Sequence, residues 1–153
     1  MTEAVLRTDG GARGNPGPAG AGFVLETSSG EEICAGGRFL GETTNNVAEY
    51  QALLLGLEVA LARGIDRVVV YSDSELLVKQ MNGVYKVKHP NMRPLFARAC
   101  GLVDRFASVR IAHVRREQNK RADELANQAM DARRAVGDVG EACEDASGQA
   151  TLF

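Results

Sequence analysis

Cysteine, tryptophan and long apolar runs are scarce or absent in this sequence, and these shortages exclude several classes of protein. The three cysteines, at positions 34, 100 and 143, are too few and too widely spaced for a disulfide framework or a zinc site, and they suit a reducing compartment. No apolar run approaches the length of a membrane-spanning helix. The first residues, MTEAVLRTDGG, lack the basic and hydrophobic regions of a signal peptide. We therefore expect a cytoplasmic protein that does not associate with membranes.

Charge is distributed unevenly along the 153 residues, a length that suits one domain. The formal net charge is −2, yet residues 76–103 contain no acid. The basic residues of that segment are Lys79, Lys86, Lys88, Arg93 and Arg98. A near-neutral total therefore does not exclude a polyanionic partner, because the attraction can be local.

The apolar pattern predicts elements in the order βββαβααβα. The predicted strands are 3–10, 19–27, 32–40, 66–72 and 109–114, and the predicted helices are 47–63, 74–82, 94–106 and 119–132. Short turns make the first three strands an antiparallel meander, and helical crossovers make the last two parallel. We expect an α/β fold with a five-stranded mixed sheet flanked by helices. Residues 1–135 would form this domain, and residues 136–153, which lack an amphipathic pattern, a flexible acidic tail.

A glycine-rich segment, residues 8–22 (TDGGARGNPGPAGAG), follows the first apolar run and contains Asp9. Glycine permits tight turns and close backbone approach, so the segment indicates a strand, an acid, a turn and a second strand. One interpretation is an ordinary hairpin with a surface aspartate. The segment lacks the GxxxxGK[ST] pattern of a nucleotide-binding loop.

Four acids occupy positions that such a fold can bring together. Asp9 and Asp73 end two strands that the topology places side by side, and Glu49 and Asp123 fall in the first turns of two helices. A first-turn acid also suits the helix dipole, so each helix acid has a purely structural interpretation. Four clustered carboxylates would repel one another, and Mg²⁺ or Mn²⁺ would relieve that repulsion. Two such ions suit in-line phosphoryl chemistry.

Five segments of the chain resemble type 1 ribonuclease H, in order and over about residues 3–132. They are TDGGARGNPGPAGAG, TTNNVAEYQAL, VVYSDSELLVKQMNG, YKVKHPN and REQNKRADELAN. The resemblance implies a ribonuclease H-like fold and a Mg²⁺-dependent endonuclease, with Mn²⁺ as a substitute. Its expected reaction is cleavage of the RNA strand of RNA–DNA hybrids, leaving 5′-phosphate and 3′-hydroxyl ends.

The resemblance also implies catalytic and metal-binding roles for the four acids. Asp9 would bridge two metal ions. Asp123 would complete the site that orients the attacking water, and Glu49 and Asp73 would complete the site at the leaving group. Rival functions are a module that binds hybrid without cutting it, and a different nuclease on the same fold.

Substrate contacts follow from the same resemblance. Asn15, Asn45 and Asn46 would contact the hybrid across its minor groove, where amides can read 2′-hydroxyls. Thr44 would meet a phosphate of the DNA strand. The remaining residues implied in substrate binding are Glu75, Lys86, Lys88, Arg116 and Asn119. Capping of the following helix is the alternative for the asparagine pair, and a solvated face is the alternative for the basic segment.

The chain departs from many family members at three places. Glu75 stands where glutamine is common, and it has an alternative role as an ordinary helix-start acid. The loop at residues 115–119 lacks the flexible histidine of some members; we interpret His113 as a strand residue and Arg116 as a substitute cationic contact. The absence of tryptophan excludes the large Trp- and Lys-rich protrusion that some members carry, which suggests weaker hybrid binding.

The last five residues, QATLF, resemble the short Q-x-x-L-F peptide by which bacterial replication and repair proteins dock on the sliding clamp. Gln149, Leu152 and Phe153 would be the docking residues, with a Leu-Phe pair in an apolar pocket. The alternative is an inert tail. We expect the protein to be a monomer.

Overall fold

A computed structural model describes residues 2–138 of the chain. The strands are β1 (Glu3–Ala12), β2 (Gly17–Thr27), β3 (Glu32–Thr43), β4 (Arg67–Ser72), β5 (Ser108–His113) and β6 (Val136–Gly137). The helices are α1 (Asn45–Ala62), α2 (Glu75–Met81), α3 (Arg93–Val103) and α4 (Lys120–Ala132), with a 3-10 turn at Arg116–Gln118. Within the described residues, no helix is long and apolar enough to cross a membrane.

The strands form one mixed sheet in the order β5-β4-β1-β2-β3-β6. β1, β2 and β3 pair antiparallel through short turns, whereas β4 pairs parallel to β1 and β5 parallel to β4. The parallel pairs follow helical connections, as a parallel pair requires. The predicted α/β fold, with three antiparallel strands followed by two parallel ones, is confirmed.

A sixth strand corrects the predicted count of five and the predicted start of the tail. Val136 pairs with Gly37 and Gly137 with Gly36, and Asp138 Oδ2 accepts a hydrogen bond of 2.8 Å from the Ala35 backbone N–H. Residues 136–138, which we assigned to the tail, therefore belong to the edge of the sheet. A two-residue strand is too short to show an alternating pattern, so periodicity could not reveal it.

Helices cover both faces of the sheet, and glycines let them lie close. α1 packs against β1, where Gly56 leaves room for Leu6; a β-carbon at Gly56 would lie 2.8 Å from the Leu6 side chain. α4 packs against β2 and β3 on the other face. A β-carbon at Gly22 would lie 2.3 Å from the Ala122 carbonyl oxygen, and one at Gly37 would lie 2.4 Å from that of Leu125. The sheet therefore fixes the position of α4, which carries Asp123.

Several element boundaries differ from prediction by two or three residues. β1 continues to Ala12, so Asp9 lies within the strand. α1 starts at Asn45 because the Thr44 side chain accepts a hydrogen bond from the Val47 N–H, and Glu49 consequently lies just beyond the first turn. α3 ends at Val103, three residues before the predicted end.

Candidate active site

The site forms where β4 stops and β1 continues. β4 pairs with β1 only as far as Thr8, and beyond that point side chains of α1 take the place of a strand. The Gly10 N–H donates to Glu49 Oε1 at 3.2 Å, and the Ala12 N–H donates to Asn45 Oδ1 at 2.8 Å. The end of β1 therefore holds both α1 side chains at the edge of a cleft.

Three carboxylates meet at this edge. Asp9 on β1, Glu49 on α1 and Asp73, directly after β4, each place an oxygen within 4.8 Å of the other two. Asp123, in the first turn of α4, lines the same cleft, whose volume is about 630 Å³. The structure thus brings all four predicted acids into one cleft.

Burial and mutual repulsion make this cluster costly when it is ionised. Burial, followed by the charges of Glu49 and Asp73 and the contact with Asp123, raises the pKa of Asp9 well above its ordinary value. Burial and the charge of Asp73 raise the pKa of Glu49 to about 8, although the Gly10 N–H and the Arg116 charge act in the opposite direction. A bound cation would relieve this repulsion.

The donor set matches a hard divalent cation. Among the described residues, the group whose ligand atoms lie within 4.8 Å of one another contains only Asp9, Glu49 and Asp73. Every ligand atom that this group offers is therefore a carboxylate oxygen. Oxygen ligands favour Mg²⁺, Ca²⁺ and Mn²⁺ over zinc or copper. The residues present therefore fit the divalent ions that the sequence implied.

Comparison with known proteins agrees with this arrangement. The family model described as "Reverse transcriptase-like" matches residues 7–129. Ribonuclease HI of Halobacterium salinarum is 44% identical over 123 residues, which make up 80% of this chain and 62% of the relative. The crystal structure of RNase H1 from the same archaeon superimposes with a TM-score of 0.83 at 42% identity, covering 85% of this chain and 98% of that one.

The chain belongs to the type 1 ribonuclease H family. LC11-RNase H1, solved in complex with RNA/DNA hybrid, is 46% identical with a TM-score of 0.82, covering 85% of this chain and 98% of that one. A bifunctional protein of Mycobacterium tuberculosis is 44% identical over 131 residues, 85% of this chain. The chain spans 36% of the length of that relative.

Two of the asparagines that are expected to meet substrate, Asn15 and Asn45, are joined by a hydrogen bond. Asn15 Oδ1 accepts a hydrogen bond of 3.0 Å from the Asn45 backbone N–H, and Asn45 lines the carboxylate cleft. Asn15, Thr44 and Asn46 line a second groove of about 260 Å³ next to α2. Thr44, rather than either asparagine of the pair, caps α1. The capping alternative for Asn45 and Asn46 is therefore wrong.

The structure leaves Lys86, Lys88 and Glu75 outside both cavities. Lys86 and Lys88 are exposed in an irregular segment after α2. Glu75 starts α2, is largely exposed, and pairs with Lys79 at 3.1 Å, which favours its interpretation as a helix-start acid. Neither the carboxylate cleft nor the second groove is lined by these three side chains.

Asn119 requires a correction. We predicted a substrate contact, but the residue is only 1% exposed, and its Nδ2 donates to the Thr8 carbonyl oxygen at 2.7 Å. Because Thr8 precedes Asp9 and Asn119 precedes α4, this hydrogen bond ties the start of α4 to β1. Asn119 therefore links α4 to β1 and does not face solvent.

A histidine and two arginines also reach the cleft. His113 is a strand residue, as predicted, and is the last residue of β5; it lines the cleft together with Arg116 from the 3-10 turn. Sequence reasoning missed Arg13, which lines the cleft from the turn after β1. The sequence signal that could have identified Arg13 is its position as a lone arginine within the glycine-rich segment 8–22. The proposed clamp-docking residues Gln149, Leu152 and Phe153 lie outside the described residues.

Proposed function

We propose that this chain is an endonuclease that hydrolyses the RNA strand of RNA–DNA hybrids, leaving 5′-phosphate and 3′-hydroxyl ends. The observation that carries the proposal is the convergence of Asp9, Glu49, Asp73 and Asp123, from four separate elements, in one open cleft. A pure binding module would gain nothing from four carboxylates that face phosphates. The hybrid-bound crystal structure of the relative LC11-RNase H1 supports the choice of substrate.

We propose that the four acids hold two Mg²⁺ ions, with Mn²⁺ as a substitute. Following the resemblance to ribonuclease H, Asp9 would contribute to both sites, Glu49 and Asp73 would complete one, and Asp123 would complete the other. When bound, such ions neutralise phosphate charge, lower the pKa of a water and stabilise a leaving oxygen.

The contribution of the chain itself is to hold these ligands in place before substrate arrives. The Gly10 N–H fixes one oxygen of Glu49, and the Asn119 side chain ties the start of α4 to β1. Preorganised ligands need little rearrangement when the reaction begins. Because the pKa values of Asp9 and Glu49 are raised, that of Glu49 to about 8, protons compete with cations for these two carboxylates even near neutral pH.

The second groove is the place that we propose for the DNA strand. Thr44 and Asn46 line it, and the exposed Lys86 and Lys88 lie on the chain segment that leads to His89 at its rim. Phosphate contacts of this kind position a duplex without reading its sequence. Asn15 lies at the groove and hydrogen-bonds to Asn45, which lines the cleft, so amides span the two strands.

A panel of labelled duplexes tests the proposal. RNA–DNA, RNA–RNA and DNA–DNA duplexes of one sequence are incubated with the protein, with and without Mg²⁺. We expect cleavage only of the RNA strand in the hybrid and only with Mg²⁺. Binding of the hybrid without cleavage at any Mg²⁺ concentration would indicate a binding module, and cleavage of DNA–DNA would indicate a different nuclease.

We also propose that the enzyme acts in the cytoplasm as a monomer.

We further propose that Gln149, Leu152 and Phe153 dock on the replication sliding clamp. The support for clamp docking is the Q-x-x-L-F pattern together with the preceding acidic residues. Tethering would raise the local concentration of enzyme at replicating DNA. Deletion of residues 149–153 should abolish clamp pull-down and leave cleavage of free hybrid unchanged; retained pull-down would end this idea.

A further inference from the structure

Arg13 is a cation whose direction is fixed at the wall of the carboxylate cleft. Its backbone N–H donates to the Pro18 carbonyl oxygen at 2.8 Å, which closes the turn between β1 and β2. Its guanidinium reaches α4, where Nη1 contacts Asp131 Oδ1 at 2.7 Å and Nη2 contacts Asn127 Oδ1 at 3.1 Å. The side chain is therefore oriented before any ligand binds.

The sheet order places this cation on one side of the acids. β1 and β4, which carry Asp9 and lead into Asp73, lie between β5 and β2. Arg116 follows β5 and Arg13 precedes β2, and both line the cleft. Two arginines thus line the cleft, one from the segment after β5 and one from the turn before β2.

We propose that Arg13 binds a phosphate of the cleaved RNA strand, next to the bond that is cut, and that Asp131 occupies the guanidinium until the strand arrives. This inference rests on the proposed ribonuclease H function. The cleaved strand is the partner because Arg13 lines the carboxylate cleft and is not among the residues of the second groove, which we assign to the DNA strand.

The resident ion pair is weak enough to be exchanged. The Arg13 and Asp131 side chains are 47% and 68% exposed, and exposed pairs of this kind contribute little stability. A guanidinium offers five N–H donors in a planar fork that matches phosphate oxygens, so it can gain a phosphate while keeping Asn127. Exchange therefore replaces one carboxylate with a doubly hydrogen-bonded phosphate.

The chain offers a matched control, because a second exposed arginine–carboxylate pair also involves α4. Arg121 pairs with Glu32 at 3.2 Å, and their side chains are 48% and 45% exposed. Arg121 does not line the carboxylate cleft. Arg13→Ala and Arg121→Ala therefore remove the same charge from two arginines of similar exposure, one at the cleft and one away from it.

Steady-state cleavage of a hybrid at several salt concentrations is the first measurement. We expect Arg13→Ala to raise KM about tenfold and to reduce the slope of log(kcat/KM) against log[salt] by about one, as the loss of one phosphate contact should. Arg121→Ala should change KM by less than about twofold, the range of a weak exposed charge effect. Equal effects of the two variants would overturn the proposal.

Neutral phosphates locate the contact. In a hybrid whose cleaved strand carries single methylphosphonates on either side of the ribonucleotides, one position should raise the KM of the wild type and leave that of Arg13→Ala unchanged.

Asp131→Asn should lower KM about two- to fivefold by freeing the guanidinium, and Glu32→Gln should not. Loss of the Asp131→Asn gain in the Arg13→Ala background supports the exchange, and persistence of the gain contradicts it. If the wild type cleaves hybrid normally but the variants and the methylphosphonates have none of these effects, only the role proposed for Arg13 is refuted. If the wild type fails to cleave any hybrid, the proposed ribonuclease H function is refuted.

Discussion

The Gly10 backbone N–H lies 3.2 Å from Glu49 Oε1, and this hydrogen bond joins β1 to α1 directly beside Asp9. The contact depends on the missing side chain of Gly10, since a β-carbon there would lie 2.2 Å from the Ala48 carbonyl oxygen and 2.7 Å from the Glu49 nitrogen. The geometry of the acids therefore depends on how closely α1 can approach the strand.

Gly10→Ala should move α1 away from β1. We expect a loss of about 1–3 kcal/mol in unfolding free energy from overpacking, together with a large loss of hybrid cleavage because Glu49 is displaced. Gly11→Ala is the control, because a β-carbon at Gly11 has its nearest neighbour, Asn45 Oδ1, at 3.7 Å. Thermal denaturation and cleavage assays check both variants; equal behaviour of the two would show that close approach at residue 10 is unimportant.

Asp9→Asn should abolish cleavage and raise the melting temperature of the metal-free protein. The folded state raises the pKa of both Asp9 and Glu49, that of Glu49 to about 8 from 4.5. A raised carboxyl pKa means that the folded state holds the proton more tightly, so stability is lost as pH rises from the ordinary pKa to the folded one.

The measurement for this variant is the melting temperature in EDTA at pH 5 and pH 8. The advantage of Asp9→Asn over wild type should grow with pH and should reverse when Mg²⁺ is added, since Mg²⁺ stabilises only the intact site. An advantage that does not depend on pH would contradict repulsion among the acids as its cause.

Glu58 lies far from the cleft and should contribute to the pH dependence of the unfolding free energy. Glu58→Gln should remove that contribution. Burial raises the pKa of Glu58 to about 6, against the opposing effect of Arg98, whose Nη2 lies 3.0 Å from Oε2. Within the described residues, Oε1 has no hydrogen-bond partner. The wild type should therefore lose about 1–2 kcal/mol relative to Glu58→Gln between pH 4.5 and pH 7. Urea denaturation at the two pH values measures this difference, and a parallel change in both proteins would contradict it.

Asn119→Ala separates positioning from substrate contact. Loss of the buried hydrogen bond to Thr8 should cost about 1–3 kcal/mol and should lower kcat, because the start of α4 and Asp123 lose their anchor. KM should change little. A raised KM with unchanged kcat and stability would instead support the substrate contact that the sequence suggested.

The prediction for Asn119 failed for a reason that applies to sequence motifs in general. A motif marks a residue that the fold or the chemistry requires, and it does not say whether the side chain points inward or outward. The REQNKRADELAN segment correctly located Asp123 in the first turn of α4, and the same segment contained the buried Asn119. Burial is decided by packing of α4 on β1, which no local pattern encodes.

The strands and helices were predictable because their apolar patterns are long. β4, with its continuous apolar run, and α1, between a cap at Thr44 and Gly64, both appeared where expected. β6 did not, because a two-residue strand depends only on the register of β3. The role of Arg13 at the cleft was likewise hidden, because it depends on contacts with Asn127 and Asp131, more than a hundred residues away along the chain.

The rate of hybrid cleavage by Asp73→Asn at saturating Mg²⁺ tests the central claim most directly. If the carboxylate after β4 completes a metal site with Asp9 and Glu49, this variant should fold as the wild type does and lose about three orders of magnitude or more in rate. Circular dichroism provides the check on folding. A folded Asp73→Asn that cleaves hybrid at nearly the wild-type rate would contradict the site described here.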